Sequence, residues 1–205
     1  MGKKNFPELK SAQELTGSWT VQFDPKWGGP AQPVVFSDLS DWTAQSDSGI
    51  KYYSGTAVYR KLFDCRLPTA DCPLYLSLGA VKNVADVSLN GRKLGTVWCA
   101  PWRVAIPAGV LKDKGNELEI EVVNLWPNRM IGDEQLPEDC AWGGGAWNLL
   151  KNYPAWFLNK VPRASGRKTF STVKQWYKDD PLLPSGLLGP VTIHSATSTS
   201  TQAKD

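Results

Sequence analysis

Short stretches in which apolar and polar residues alternate recur along most of this 205-residue chain. Alternation with a period of two is typical of a strand that has one face on a core and the other in solvent. It predicts strands over 18–23, 55–63, 74–78, 84–89, 103–106, 118–124 and 190–194. Their apolar positions form the predicted core, which consists of Trp19, Phe23, Tyr59, Phe63, Leu76, Leu78, Val87, Leu89, Leu118, Ile120 and Val122.

Turn residues separate these strands and indicate the fold class. Asn90-Gly91 lies between two strand patterns and supplies the positive φ angles of a type I′ hairpin turn. No long stretch has a helical period, and only Glu8–Leu15 and Ala108–Lys112 are predicted as short helical turns. Short strands at steady spacing favour an all-β sandwich or jelly roll.

One long segment, residues 125–189, departs from this pattern. It lacks a strand signal, holds five of the ten tryptophans and contains the run Gly143-Gly144-Gly145. Such a long loop is uncommon in a compact domain and is usually functional or packed on another surface. The predicted organisation is therefore a lead-in over 1–16, one sandwich domain over 17–194 that includes this segment, and a disordered polar tail over 195–205.

Charge and hydropathy exclude two classes of partner. The net charge is only +3, and the basic residues are scattered rather than clustered, which disfavours a nucleic-acid partner. No apolar run is long enough to span a bilayer, so no membrane partner is predicted. No apolar stretch follows Met1-Gly2-Lys3-Lys4, so no signal peptide is visible.

The four cysteines allow two readings. Cys65 and Cys72 flank a short connection that a disulfide could close, and Cys99 and Cys140 could pair at long range. The alternative is four free, partly buried thiols. Because there is no Cys-x-x-Cys spacing and only one histidine, His194, a zinc site is not expected.

The one group of residues that could serve as a catalytic site is the acidic cluster Asp133-Glu134 with Glu138-Asp139, and its signal is weak. Glycoside hydrolysis generally needs two carboxylates that flank one bond. The simpler interpretation is that these side chains cap turns, pair with Arg129 or hold a cation. No serine-hydrolase elbow and no phosphate loop occur, so no catalytic residue and no required cofactor are assigned.

Sugar binding is the sharper hypothesis, because a sugar ring's C–H face packs well on an indole face. The candidate platforms in or beside loops are Trp98, Trp102, Trp126, Trp142, Trp147, Trp156 and Trp176. The candidate polar groups are Asn124, Asn128, Arg129, Asp133 and Glu134. The alternative for each tryptophan is that it folds the long segment onto the sandwich. Arg167, Lys168 and Lys174 are predicted to lie on a solvated face.

Several motifs carry a resemblance to known families. Residues 53–63, 84–95 and 115–120 resemble the sugar-binding domain of glycoside hydrolase family 2. Residues 23–30, 49–57, 124–134 and 185–191 are similar to the C-terminal β-sandwich of glycoside hydrolase family 106, the α-L-rhamnosidases. The similarity runs in order from Gly17 to Ile193.

This resemblance implies a galactose-binding-type sandwich that serves as a non-catalytic module of a multidomain hydrolase acting on plant-type polysaccharide. Its implied partners are a carbohydrate ligand and the hydrolase's catalytic barrel, and the parent protein is expected to be secreted or periplasmic. Asp133, Glu134 and Asp139 are the implied acidic loop that reaches the neighbouring active site. A structural Ca²⁺ ion is a further possibility for this class. A free-standing binding module and a purely structural spacer remain as alternatives.

Overall fold

The computed structural model describes residues 9–65, 67 and 73–196. In this part of the chain the strands are β1 Leu9–Glu14, β2 Trp19–Phe23, β3 Val34–Phe36, β4 Thr56–Phe63, β5 Leu74–Ser77, β6 Ala80–Lys82, β7 Val84–Leu89, β8 Arg92–Val97, β9 Arg103–Ile106, β10 Asn116–Val123, β11 Gly186–Gly189 and β12 Thr192–Ala196. Three short helices are α1 Ser48–Lys51, α2 Pro127–Asp133 and α3 Ala155–Leu158, and 3-10 turns occupy Pro25–Trp27 and Trp42–Ala44.

The strands form two antiparallel layers. A six-stranded sheet has the order β3-β2-β4-β10-β7-β8, and a four-stranded sheet has the order β1-β12-β5-β9. A third, two-stranded sheet pairs β6 with β11. The inward side chains of the strands form a single apolar cluster, as expected when alternating strands pack face to face. The predicted all-β sandwich is confirmed.

The predicted core is confirmed except at Phe63, which is only partly buried at the end of β4. Its centre carries an aromatic group in which Trp42 Nε1 donates a hydrogen bond to the Tyr59 hydroxyl at 2.5 Å. Gly186 lies against this group with φ of +100°, and a Cβ atom there would lie 2.5 Å from Trp42 Nε1. The close approach of β11 to the core therefore requires a glycine at this position.

Every strand predicted from alternation forms, with shifts of up to two residues at its ends. The hairpin turn is also confirmed, since Asn90 and Gly91 have φ angles of 53° and 77°. Both predicted helical turns are wrong. Residues 9–14 form β1, which pairs with β12, and residues 108–110 form a simple turn. The unpaired edge of β12 supplies β1 with backbone partners, and such tertiary pairing overrides local preference.

The edges of the predicted domain also change. The first strand of the described residues, β1, lies inside the predicted lead-in and pairs with β12 of the sandwich. The last strand continues through Ser195 and Ala196, two residues into the predicted tail. The long segment contains α2 and α3, and it ends in β11, so it is not wholly loop. No helix in the described residues is long and apolar enough to cross a membrane.

Three connections leave the six-stranded sheet at the same row of paired residues. Phe23 pairs with Ala57, Ala57 with Val122, Val122 with Ala85, and Ala85 with Val97. Because β2, β10 and β8 run in the same direction, all three leave the sheet at this row. We call this edge of the sandwich, with the connections that follow β2, β8 and β10, the loop end.

Candidate functional site

Three exposed tryptophans lie in the connections of the loop end. Trp27 follows β2, Trp98 follows β8 and Trp126 follows β10, and their exposed fractions are 38%, 72% and 49%. Trp98 and Trp126 were sequence candidates, whereas Trp27 was not. Its position directly after a strand, before Gly28 and Gly29, was the signal that could have found it.

Trp27 and Trp126 meet and form one wall of a groove. Their ring centroids are 5.1 Å apart at an interplanar angle of 77°, an edge-to-face contact. The groove has a volume of about 340 Å³, and its other lining residues are Met130, Lys168, Thr169 and Phe170. This volume falls within the range of ligand pockets, which are mostly apolar with a few polar groups. We call it the Trp27–Trp126 groove.

Local structure holds the two indoles in place. The Asp24 side chain accepts a hydrogen bond from Lys26 N at 2.9 Å and caps the turn that carries Trp27. The Tyr53 hydroxyl accepts a bond from Asp24 N at 3.0 Å and ties this turn to the core. Trp126 is the N-cap residue of α2, whose first turn contains Pro127. Both side chains therefore project from fixed backbone.

The opposite wall of the groove is tied to α2 by Asp133. This carboxylate is almost fully buried, and its Oδ2 accepts bonds from Lys168 N at 2.8 Å, Thr169 N at 2.6 Å and Thr169 Oγ1 at 2.7 Å. Its Oδ1 lies 3.0 Å from Arg129 Nε without the alignment of a hydrogen bond. We call this arrangement the Asp133 clamp. Arg129 and Asp133 are both buried, and their role in hydroxyl recognition stays a prediction.

The two asparagines are also structural. The Asn128 side chain accepts from Leu183 N and donates to Leu183 O and to Ser185 Oγ, at 2.7–2.9 Å. Asn124 donates to Tyr53 O and to Ser185 Oγ. Both amides are buried. Asn128 satisfies backbone groups of Leu183, and Asn124 satisfies backbone groups of Tyr53 and Gly55. Their contact with a sugar stays a prediction.

A network of ion pairs occupies the acidic loop. Glu134 lies 2.7 Å from both Arg167 Nη1 and Lys174 Nζ, and Lys174 also reaches Glu138 at 2.6 Å. Arg167 is only 8% exposed and further donates to the carbonyls of residues 136 and 137. The predicted solvated face is therefore wrong for Arg167 and Lys174. Their charges are buried because the acidic side chains of the loop fold over them.

Asp139 belongs to a second clamp. Arg163 donates to both carboxylate oxygens at 2.8 and 2.9 Å, and the Ser165 hydroxyl donates at 2.6 Å. Burial by itself would raise the Asp139 pKa, but the bonds from Arg163 and Ser165 outweigh it and lower the pKa to about 2. A general acid needs a raised pKa. Asp139 therefore has the hydrogen bonds and the lowered pKa of a carboxylate held in an ion pair, and not the raised pKa of a general acid.

The geometry also bears on the predicted cation site. Ligand atoms of Glu138, Asp139 and Cys140 lie within 4.8 Å of one another. Arg163, Ser165 and Lys174 already fill the lone pairs that a Ca²⁺ ion would use on the two carboxylates. A cation would have to displace these donors, and the calcium site stays a prediction.

The remaining candidate tryptophans do not join the groove. Trp102 packs against the sandwich core. Trp142 and Trp176 line a cavity of about 40 Å³ among the ion pairs, which is water-sized and too small for a sugar ring. Trp147 is 73% exposed and lies away from these groups, between the bridged residues Trp142 and Leu150. The structure thus places Trp102 against the core and Trp142 and Trp176 among the ion pairs of the long segment.

The long segment presents many of its apolar side chains to solvent. Tyr153 stacks on Phe157 at 5.3 Å, and Phe157 stacks on Phe170 at 4.9 Å. The members of this exposed set, which we call the apolar face, are Trp147, Leu149, Tyr153, Phe157, Leu158, Val161 and Tyr177. Each is more than a third exposed, whereas Arg163 and Arg167 of the same segment are shielded from water and paired with carboxylates.

A larger groove, of about 590 Å³, lies on the solvent face of the six-stranded sheet. The paired residues Thr20, Arg60, Glu119 and Ser88 form a polar row across it. Arg60 and Glu119 are exposed and pair with each other at 2.8 Å. None of its lining residues is aromatic. Aromatic walls therefore favour the Trp27–Trp126 groove as the ligand site.

The cysteines contribute no cross-link to this region. Cys99 is exposed and Cys140 is partly buried, and both carry free thiols in the structure, so the long-range pairing is not formed. Burial, followed by the bond to Asp139, raises the pKa of the Cys140 thiol to about 11. Cys65 is buried in the core, and the predicted partner Cys72 lies outside the described residues.

Comparison with known proteins places this architecture in larger enzymes. The chain is 46% identical over 198 residues to a protein of Formosa agariphila described as "Putative beta-glucuronidase", covering 94% of this chain and 17% of that protein. It matches the structure of a rhamnosidase from Novosphingobium sp. PP1Y with a TM-score of 0.74 and 30% identity, covering 95% of this chain and 16% of that one. A β-glucuronidase from Ruminococcus gnavus shares the fold alone, at 19% identity and a TM-score of 0.52, over 96% of this chain and 31% of its own. No protein-family model matches.

These matches define a class. The chain corresponds to a β-sandwich domain within larger glycoside hydrolases, and it spans about a sixth of the two relatives with which it shares 30% identity or more.

Proposed function

We propose that this chain is a carbohydrate-binding accessory domain of a larger glycoside hydrolase of the α-L-rhamnosidase type, family 106. In this proposal it performs no catalysis itself, contacts a plant-type polysaccharide, and belongs to a secreted or periplasmic parent protein. The observation that carries the proposal is the Trp27–Trp126 groove at the loop end. The similarity to a rhamnosidase supports the choice of enzyme class.

The groove suits a sugar for a physical reason. A pyranose ring has one face of C–H groups and a rim of hydroxyls, so it pairs an apolar contact with a few polar ones. The indoles of Trp27 and Trp126 and the ring of Phe170 supply the apolar contact, and Lys168 and Thr169 supply polar groups beside them. Because the turn and the helix that carry the indoles are fixed, little conformational entropy is lost on binding.

The second part of the proposal is that the apolar face packs on the catalytic domain. The long segment pairs several of its charged side chains with one another and exposes many of its apolar ones. A contiguous exposed apolar patch typically marks an interaction site. About five-sixths of the length of the two relatives lies outside the matched domain, which supports a neighbouring domain as the occupant. If sugar binding fails, this structural role remains as the second candidate function.

Isothermal titration calorimetry of the purified chain with rhamnogalacturonan fragments tests the binding proposal. We expect measurable heat, and we expect Trp126→Ala to weaken binding at least tenfold, which corresponds to about 1.4 kcal/mol. Trp147→Ala is the matched control, because Trp147 is also an exposed tryptophan but lies outside the groove. Absence of heat, or equal loss in both variants, would overturn the assignment of the groove. Glycosidase activity of the purified chain would overturn the non-catalytic part.

A further inference from the structure

The geometry points to a specificity within the proposed site: the Trp27–Trp126 groove prefers an acidic saccharide, a sugar that carries a carboxylate, over a neutral one. This inference rests on the proposed carbohydrate-binding function and goes beyond it by assigning the ligand's charge. Lys168, which sequence reasoning placed on a solvated face, is the residue that carries it. In the structure Lys168 lines the groove beside both indoles.

The position of Lys168 is set by the Asp133 clamp. The buried Asp133 carboxylate holds the backbone N–H groups of Lys168 and Thr169 at 2.8 and 2.6 Å. The aliphatic stem of Lys168 then runs past Gly28, where its Cε and Cγ lie 3.8 and 3.9 Å from the position of a Cβ atom. Gly28 follows Trp27 directly. The backbone of Lys168 is therefore fixed beside the aromatic wall, and its stem lies against the turn that carries Trp27.

The ammonium group of Lys168 has no ion-pair partner among the described residues. Arg129 is compensated by Asp133, and Arg167 and Lys174 are compensated by Glu134 and Glu138. Among the described residues, no carboxylate lies within 4 Å of Lys168 Nζ. The groove itself has no acidic lining residue. Lys168 is thus the one charged lining residue of the groove, and it has no ion-pair partner among the described residues.

An acidic sugar matches this arrangement of groups. Its ring presents the same C–H face to an indole as a neutral sugar does, and its carboxylate lies at the ring edge, where an ammonium can reach it. A charge-assisted hydrogen bond between ammonium and carboxylate is stronger than one between neutral groups. Because the groove is half open to water, the gain is moderate and salt-dependent. We expect a preference of about fivefold at low salt that shrinks at high salt.

The test compares oligogalacturonate with the same oligomer after full methyl esterification, which removes the charge and keeps the ring and linkage. Titrations at about 20 mM and 500 mM NaCl give the dissociation constants. The acidic oligomer should bind about fivefold tighter at low salt, and Lys168→Met should abolish that preference while the neutral oligomer still binds. Lys114→Met is the matched control, because Lys114 is exposed in the turn before β10, at the end of the sheet opposite the loop end.

The outcomes separate the two proposals. Equal affinity for both oligomers, or a preference that survives in Lys168→Met, would refute the charge assignment and leave the groove as a neutral sugar site. Loss of the preference in Lys114→Met as well would indicate general electrostatic attraction and would also refute it. If neither oligomer nor any rhamnogalacturonan fragment binds, the proposed function fails with it. Trp126→Ala should lose both oligomers, since the aromatic contact is common to them.

Discussion

Replacement of Asp133 by alanine would test how the long segment is held to the sandwich. The change removes the acceptor of three hydrogen bonds from Lys168 and Thr169 and leaves the buried Arg129 without its counter-charge. Removal of one partner of a buried ion pair costs about 3–5 kcal/mol. A hydrogen bond to a charged group contributes about 1.5–3 kcal/mol, but bonds that share one carboxylate are not additive. We therefore expect a total loss of about 3–5 kcal/mol.

The loss should be local rather than global. Asp133 connects α2 with residues 168–169 and lies outside the apolar cluster of the sandwich. Urea unfolding followed by circular dichroism should show a lower free energy of unfolding, with an early transition for the long segment before the sandwich unfolds. Limited proteolysis should then cleave within residues 134–184 while the rest of the chain stays intact. A single unshifted transition with an unchanged cleavage pattern would refute the role of the clamp.

Two matched variants sharpen the measurement. Asp133→Asn keeps the shape and one acceptor oxygen but loses the charge, so its cost should fall between those of wild type and alanine. Glu119→Ala removes an exposed carboxylate from its pair with Arg60 on the solvent face of the sheet. An exposed pair contributes about 0–1 kcal/mol, so this variant should be nearly neutral. If Glu119→Ala costs as much as Asp133→Ala, burial of the clamp does not explain its strength.

The remaining predictions concern the core and acid stability. Tyr59→Phe leaves the indole N–H of Trp42 and the backbone N–H of Leu187 without their acceptor, so it should lower the free energy of unfolding by about 1–3 kcal/mol, and a shift below about 0.5 kcal/mol would contradict this. Because the Asp139 pKa is lowered to about 2, its pairing with Arg163 stabilises the fold above the ordinary carboxyl range and is lost as the pH falls from about 4 to 2, at a cost of at most about 2 kcal/mol. Acid titration followed by tryptophan fluorescence should show this step, and Asp139→Asn should remove it, whereas an identical step in that variant would assign it elsewhere.

The order of the long segment depends on charge more than on apolar packing. Arg163, Arg167 and Lys174 each contact carboxylates that are largely shielded from water. Such buried pairs contribute little net stability compared with well-packed apolar groups, but they define a unique arrangement because each charge must find its partner. This arrangement explains how a segment without a strand pattern adopts a defined conformation while its aromatic side chains remain available to a partner.

Local pattern predicted seven of the twelve strands that the structure describes. Alternation along β4, β7 and β10 placed the inward residues correctly, because the side-chain period of a strand shows directly in sequence. Asn90-Gly91 determined its turn by backbone conformational preference alone. The prediction from sequence was wrong where strand pairing overrides local preference. Residues 9–14 form a strand because they pair with the otherwise unpaired edge of β12. The residues 9–14 themselves contain no signal of this distant pairing.

The candidate site was likewise predicted only in part from the sequence. The sequence correctly pointed to exposed tryptophans in loops, and Trp126 is one of them. It could not show that Trp27, about a hundred positions earlier, would meet Trp126, because that contact follows from the register of the sheet, in which β2 and β10 end at one row. The polarity of Asp133 and Asn128 likewise suggested that they contact a ligand. Sequence alone, however, does not distinguish a polar side chain that is exposed to solvent from one that bonds buried backbone groups. Only the tertiary structure decides between these two environments, because the burial of a side chain depends on which residues pack over it. Here residues of the long segment pack over Asp133 and Asn128.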